Sequence, residues 1–218
     1  MAAQDPRTKF SNEKYPKQEQ PVPGLQSKLE PKPDCGETSY QGHGRLTDYK
    51  MLVTGGDSAI GRAAAIAYAK EGADVAINYL PAEQEDAEEV KSVIEQAGRK
   101  AVLIPGDVRD EQFNYDLVEQ AYNKLGGLDN VTLVAGHQQY HDDIKGFSTE
   151  AFTETFETNV YPIFWTVQKA LDYLQPGATI TTTSSIQGYK PNPILHDYAA
   201  SKAAIISLTK SISEELAE

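Results

Sequence analysis

The chain has 218 residues, 39% hydrophobic and 24% charged, with 32 acidic against 20 basic side chains and a net charge of -12. That length allows one sizeable core without demanding a second domain. The acidic balance argues against a nucleic-acid partner, whose phosphates need cationic side chains, and leaves small molecules as the expected ligands.

No apolar run approaches the roughly 18 residues of a membrane span, and no apolar signal-type stretch opens the sequence. The single cysteine, Cys35, excludes an intrachain disulfide, which makes a reducing cytoplasm the expected compartment.

Residues 1–48 differ from the rest: they hold six of the 12 prolines and balance seven basic against seven acidic residues. Nothing from Gln18 to Gly44 repeats with a period of 2 or 3.6, so the segment reads as an extended arm without a core of its own. It is either a disordered tail or an arm laid along the domain or a neighbouring subunit, with Leu25, Tyr40 and Leu46 as anchors.

From Lys50 onward, short β-like runs alternate with amphipathic helical stretches. Strands are expected at Met51–Thr54, Asp74–Tyr79, Ala101–Pro105, Val131–Ala135 and Ala178–Ser184. Helices are expected at Ile60–Glu71, Glu83–Ala97, Glu111–Leu125, Thr149–Leu174 and Tyr198–Glu218. Five βα units in a row predict an α/β fold, a doubly wound parallel sheet of the Rossmann type spanning residues 49–218. The sequence stops in a helical stretch without a Gly or Pro stop signal, so the domain is expected to be C-terminally incomplete.

Between the first strand and first helix lies Thr54-Gly-Gly-Asp-Ser-Ala-Ile-Gly61. Glycines in such a turn let the backbone approach a pyrophosphate, whose charge then sits at the helix N-terminus. The other reading is a tight turn needed only for packing; the strand-turn-helix context favours the dinucleotide. Gly55, Asp57, Ser58, Ala59, Ile60 and Gly61 are its expected contacts. The second strand ends Asn78-Tyr79-Leu80, with neither an acid for a ribose hydroxyl nor a base for a 2′-phosphate, and Asp57 disfavours an extra phosphate. NAD or NADP is the expected cofactor, with a lean towards NAD.

Tyr198-Ala-Ala-Ser-Lys202 places a phenol and an ammonium on one helix face. Hydride transfer to or from a carbonyl carbon requires a proton moved at its oxygen. A free phenol ionises near pH 10, so about 4 kcal/mol must come from cationic neighbours if it is to work near neutrality.

Among 12 tyrosines and 15 lysines, about one such pair is expected by chance, and one is found, so the spacing alone could be an exposed helix pair. Its context adds weight. Ser185, 13 residues upstream at the end of the fifth strand, can hold a substrate oxygen, whereas Thr181–Ser184 read as ordinary strand residues. Asn159 precedes Pro162 by three residues, and that proline cannot donate to the Thr158 carbonyl. The long helix should bend there, and a freed carbonyl with a buried amide could order a water leading to Lys202. A tolerated Asn in a kinked helix is the plainer reading. His137, Gln138, Gln187 and Tyr189 are candidate pocket residues or solvated loop residues.

Together, Gly55, Gly61, Asn159, Ser185, Tyr198 and Lys202 resemble the short-chain dehydrogenase/reductase superfamily over about Lys50 to Glu218. The arm and the Thr54-Gly-Gly-Asp-Ser58 turn are similar to bacterial glucose/ribitol dehydrogenase-like oxidoreductases and general stress proteins. The resemblance implies that Asn159, Ser185, Tyr198 and Lys202 are catalytic, with Tyr198 and Lys202 also touching the cofactor. It further implies adenine contacts at Asp107 and Val108, a close backbone approach at Ala135-Gly136, and a homotetramer or other homo-oligomer.

Three features depart from it. Ala59 replaces the middle glycine of the turn and is expected to crowd the pyrophosphate. Leu133-Val-Ala-Gly136 replaces Asn-Asn-Ala-Gly, and the two strands and substrate-covering helices that normally follow the Tyr198 helix are absent. The expected function is hydride transfer between a nicotinamide cofactor and a secondary alcohol, sugar or carbonyl compound. A non-catalytic dinucleotide-binding protein or truncated pseudoenzyme of the same fold is the other reading.

Overall fold

A computed structural model of the protein describes Asp5, Arg7 and residues 15–217. Five parallel strands form one sheet: β1 (Lys50–Thr54), β2 (Asp74–Tyr79), β3 (Ala101–Pro105), β4 (Asn130–Leu133) and β5 (Thr179–Thr182). Their order is β3-β2-β1-β4-β5, so the chain reverses direction across the sheet between β1 and β4. A crevice opens at such a switch point, outside the carboxyl ends of the strands.

The central strands β1 and β2 are buried on both faces, as in a sheet covered twice. In β1, Met51 and Val53 face one way and Leu52 the other, and each meets a separate core. The first core packs Met51, Val53, Val75 and Ile77 against Ala65 and Ala69 of α1 (Ala59–Lys70) and Val90 and Ile94 of α2 (Gln84–Gln96). The second packs Leu52, Ile104 and Val131 against Leu117 and Val118 of α3 (Glu111–Leu125), Ile163 and Val167 of α5 (Tyr161–Ala170), and Ile205 of α6 (His196–Leu216). The Rossmann-type doubly wound sheet is therefore present.

Element boundaries differ from expectation where polar contacts intervene. The helix expected over Thr149–Leu174 is two, α4 (Thr149–Asn159) and α5, which meet at Val160 (φ -112, ψ -53), two residues before Pro162. The bend expected at Asn159 is thus a break. Strands β4 and β5 stop earlier than their apolar runs, and β5 alternates half-buried with exposed threonines at the sheet edge. Helix α6 begins at His196, and its expected last residue, Glu218, lies outside the described residues.

The arm, from residue 15 onward, lies along the domain over α1 and α2; residues 1–4, 6 and 8–14 lie outside the described residues. Two of the three expected anchors hold. Tyr40 donates its hydroxyl to Glu71, and Leu46 packs against the first core. Leu25 instead bonds within the arm, to the Gln20 side chain.

Glu71 at the end of α1 also accepts from Arg45 (Nη2, 2.6 Å) and from the N–H groups of His43 and Arg45 (both 3.0 Å). Lys70 beside it donates to the Gly36, Glu37 and Tyr40 carbonyls. These charge-assisted bonds replace the apolar period the arm lacks.

The Arg45 guanidinium and the Tyr40 hydroxyl hold the Glu71 carboxyl well below the ordinary glutamate range. A depressed carboxylate contributes stability above its unfolded value, about pH 4.3, and loses it as pH falls towards the folded value. Exchange protection factors of the His43 and Arg45 amides should therefore fall in acid, and in Glu71→Gln they should be low already at pH 7. Unchanged protection in that variant would contradict this anchoring.

Candidate active site

The turn after β1 is built around close approaches. Thr54 Oγ1 accepts from the N–H groups of Val134 (3.1 Å) and Ala135 (3.2 Å), drawing the end of β4 against the turn. Gly55 then takes a left-handed φ of +60°, and a Cβ on Gly61 would fall 1.8 Å from the Gly55 carbonyl oxygen. Only glycine fits under that turn. Ala59 also has a positive φ, +46°, an uncommon backbone state for a residue with a side chain.

The turn opens on a groove of about 710 Å³ along the strand ends, within the usual range for small-molecule sites. Gly55, Asp57, Ser58, Ala59, Ile60, Asp107, Val108, Ala135 and Gly136 all line it, as do His137 and Gln138. Gly61 shapes the turn from beneath and is not part of the wall.

Asp57 is buried, and its Oδ2 has no partner among the described residues, so an acceptor is free at the groove. Burial pushes the Asp57 carboxyl above the ordinary aspartate value. Burial opposes ionisation of Asp107 too, but Arg109 at 2.6 Å holds it below the usual carboxylate range. Room, left-handed turn, helix N-terminus and free acceptor together fit a dinucleotide.

Two acidic and polar contributors escaped the sequence reading. Glu83 lines the groove beside the end of β2, its Oε2 accepting from the Leu80 N–H at 2.9 Å. Burial, then the nearby Asp57 charge, push its carboxyl up to about 7. The signal was present: Pro81 followed by Glu83 is a helix start in which the third residue reaches back to the first N–H. Gln26 is the other, buried in the arm and accepting through Oε1 from the Ala59 N–H at 2.5 Å.

At the far end of the groove, a Cβ on Gly136 would lie 3.4 Å from Asn159 Oδ1 and 3.6 Å from Lys202 Nζ. Asn159, 1% exposed at the end of α4, accepts from the His137 N–H (2.6 Å) and donates to the His137 carbonyl (2.9 Å) and Ser201 Oγ (3.0 Å). Ser201 in turn donates to the Tyr198 carbonyl at 2.7 Å.

Lys202 Nζ donates to the Thr183 carbonyl at 2.9 Å and stands 5.4 Å from the Tyr198 ring centroid. Burial lowers its ammonium from the ordinary lysine value. Ser184 donates to the Lys202 carbonyl at 2.7 Å, fixing the β5 end to α6. Ser185 follows at once, its Oγ accepting from the Gln187 N–H at 3.2 Å. Asn159 thus reaches the Tyr198 backbone through Ser201, Lys202 stands beside the Tyr198 ring, and Ser185 lies on the adjoining segment. None of Asn159, Ser185, Tyr198 and Lys202 lines the groove itself. Gln187 instead accepts from the Asn192 N–H, and Tyr189 is exposed; neither lines the groove.

A doubly wound sheet with a glycine turn at one end of its crevice, and buried Asn159 and Lys202 beside half-buried Tyr198 at the other, defines a dinucleotide-dependent class of protein. Comparison with known proteins agrees. Residues 50–218 match the family model for short chain dehydrogenases. The chain is 57% identical over 214 residues to the uncharacterized oxidoreductase YghA of Escherichia coli, covering 98% of this chain and 73% of that protein. General stress protein 39 of Bacillus subtilis is 46% identical over 194 residues, 89% of this chain and 68% of that protein. A crystal structure of a Burkholderia cenocepacia short chain dehydrogenase in complex with NADP superposes with a TM-score of 0.75 at 34% identity, covering 79% of this chain and 70% of that one. The chain belongs to the short-chain dehydrogenase/reductase family.

Left-handed backbone at a residue with a Cβ costs about 1 kcal/mol. Ala59→Gly should raise stability by about that amount, read as a shifted denaturation midpoint; a loss of stability would show that Ala59 is unstrained.

Proposed function

We propose that this chain is an oxidoreductase transferring a hydride between a nicotinamide cofactor, NAD or NADP, and a secondary alcohol, sugar or carbonyl substrate. The observation that carries the reading is Lys202: a buried ammonium that faces the tyrosine ring and a backbone carbonyl, with no carboxylate partner among the described residues. An unneutralised buried cation is costly, and such groups cluster where a site uses them.

In this reading the bound cofactor supplies or accepts the hydride. The glycine turn and the groove residues hold its adenosine and phosphates, and Lys202 holds its second ribose. Tyr198 Oη gives a proton to the substrate oxygen in reduction and takes it back in oxidation. Lys202 Nζ favours the phenolate between those events. Ser185 Oγ donates to the substrate oxygen, and Asn159 keeps α6 and the His137 backbone in register. The exposed apolar side chains Phe152 on α4, Tyr161 and Phe164 on α5, and Leu171 just after it support a homo-oligomer. No described helix is long and apolar enough to cross a membrane, and a reducing cytoplasm suits the lone cysteine.

Tyr198→Phe should lower turnover with a carbonyl panel at least about a hundredfold and leave the cofactor Kd within about threefold. Equal turnover would sink the mechanism. Cofactor binding by the unaltered protein without any turnover would favour the non-catalytic reading.

Between the two cofactors the reading leans to NAD: the groove carries the carboxyl groups of Glu83 and Asp57, which would oppose a 2′-phosphate, and its arginine, Arg109, is already paired with Asp107 and Glu154. Glu83 is ionised above about pH 7 and neutral below it. NADPH affinity should therefore tighten as pH falls through 7, roughly tenfold, while NADH affinity changes little. Glu83→Gln should remove that dependence. Equal pH profiles for both cofactors would assign the selectivity elsewhere.

A further inference from the structure

The groove does not belong to the sheet domain alone. Val22, Pro23 and Gly24 of the arm form part of its wall, facing Asp57, Ser58 and Ile60 of the turn. The matched family model begins at residue 50, so this wall lies outside it.

The arm is tied down at this point more firmly than a passing strut requires. Gln20 closes the segment on itself, its amide accepting from the Leu25 N–H (2.8 Å) and donating to the Leu25 carbonyl (3.0 Å). Fully buried Asp86 of α2 then accepts from the N–H groups of Gln26 (2.6 Å) and Ser27 (2.9 Å).

Gln26 is 3% exposed, and both ends of its amide are committed: Nε2 to Cys35 Sγ at 3.3 Å and Oε1 to the Ala59 N–H. Helix α1 receives no side-chain cap from its own Ser58. The arm supplies that cap instead, at the first residue of the helix, and thereby holds the left-handed Ala59 in place. Unpartnered Asp57 Oδ2 marks the same part of the groove as a ligand site. Val22 stands at its lip with an apolar side chain 83% exposed.

Resting on the cofactor reading above, the geometry points to the arm as a working part of the cofactor site: Gln26 is a positioning residue for the phosphate-binding turn, and Val22–Gly24 form a wall over the adenosine pyrophosphate half of the dinucleotide. A neutral cap suits this place, since it satisfies one N–H without opposing the phosphates.

The test is a fluorescence titration of NADH and NADPH into the full chain at low and high salt, beside the melting temperature of the cofactor-free protein. Gln26→Met, which lacks the acceptor, should raise Kd about five- to tenfold at either salt. Gln26→Glu, which keeps the acceptor but adds charge, should raise it further at low salt and recover at high salt. Val22→Lys, at an exposed position that does not threaten folding, should tighten binding about two- to fivefold at low salt only, and Val22→Glu should do the reverse.

If the Gln26 variants lower the melting temperature while Kd stays unchanged, and Kd is indifferent to charge at residue 22, the arm is a strut and the inference is overturned. If the unaltered chain binds neither cofactor, it is the underlying cofactor reading that fails.

Discussion

Asn159 sits at the break between α4 and α5, and its amide faces two ways at once. One side pairs with both backbone groups of His137, beyond the end of β4; the other meets Ser201 on α6. The break falls at Val160, two residues before Pro162, which cannot close the helical bond to Thr158. A buried amide left unsatisfied costs about 1–3 kcal/mol, so each of these bonds is enforced by the absence of water. The rotational setting of α6 follows, and with it the positions of Tyr198 and Lys202 relative to Gly136.

The other end of the crevice solves a different problem. The chain must turn sharply after β1 and still present N–H groups at the start of α1. Gly55 and Gly61 make the turn possible by close backbone contact. Ala59 makes it strained, and the compensation comes from the arm, through Gln26. The two ends share the loop after β4: Thr54 draws Val134 and Ala135 to the turn, and Asn159 draws His137 to α6. A short stretch of backbone therefore sets the distance between phosphate turn and tyrosine.

Much of this was legible in the sequence, and for physical reasons. The central strands β1 and β2 are covered on both sides, so they show as largely apolar runs. Helix α3 carries an Asp110 cap and a Gly126 stop, and its bounds matched expectation at both ends. The helix break was visible in the Asn159–Pro162 spacing. What was hidden acts across long separations: Gln26 reaches Ala59 and Asp86, and Arg45 reaches Glu71. Polar residues in a proline-rich segment follow no period, so their partners cannot be read from pattern. Glu83 was hidden differently, because it lies past the strand end where an acid was sought. The early end of β4 reflects Val134 and Ala135 donating to the Thr54 side chain, which an apolar run does not record.

The central claim is that this fold moves a hydride at a carbon whose oxygen is protonated by Tyr198. The most direct measurement uses reduced cofactor deuterated at the transferable position of the nicotinamide, incubated with the protein and a ketone or aldehyde panel, with the products examined by mass spectrometry and NMR. The account predicts deuterium at the new carbinol carbon, from one face of the nicotinamide, with the hydroxyl proton drawn from solvent. Alcohol product with solvent hydrogen at that carbon, or no deuterium transfer from a cofactor shown to be bound, would contradict it.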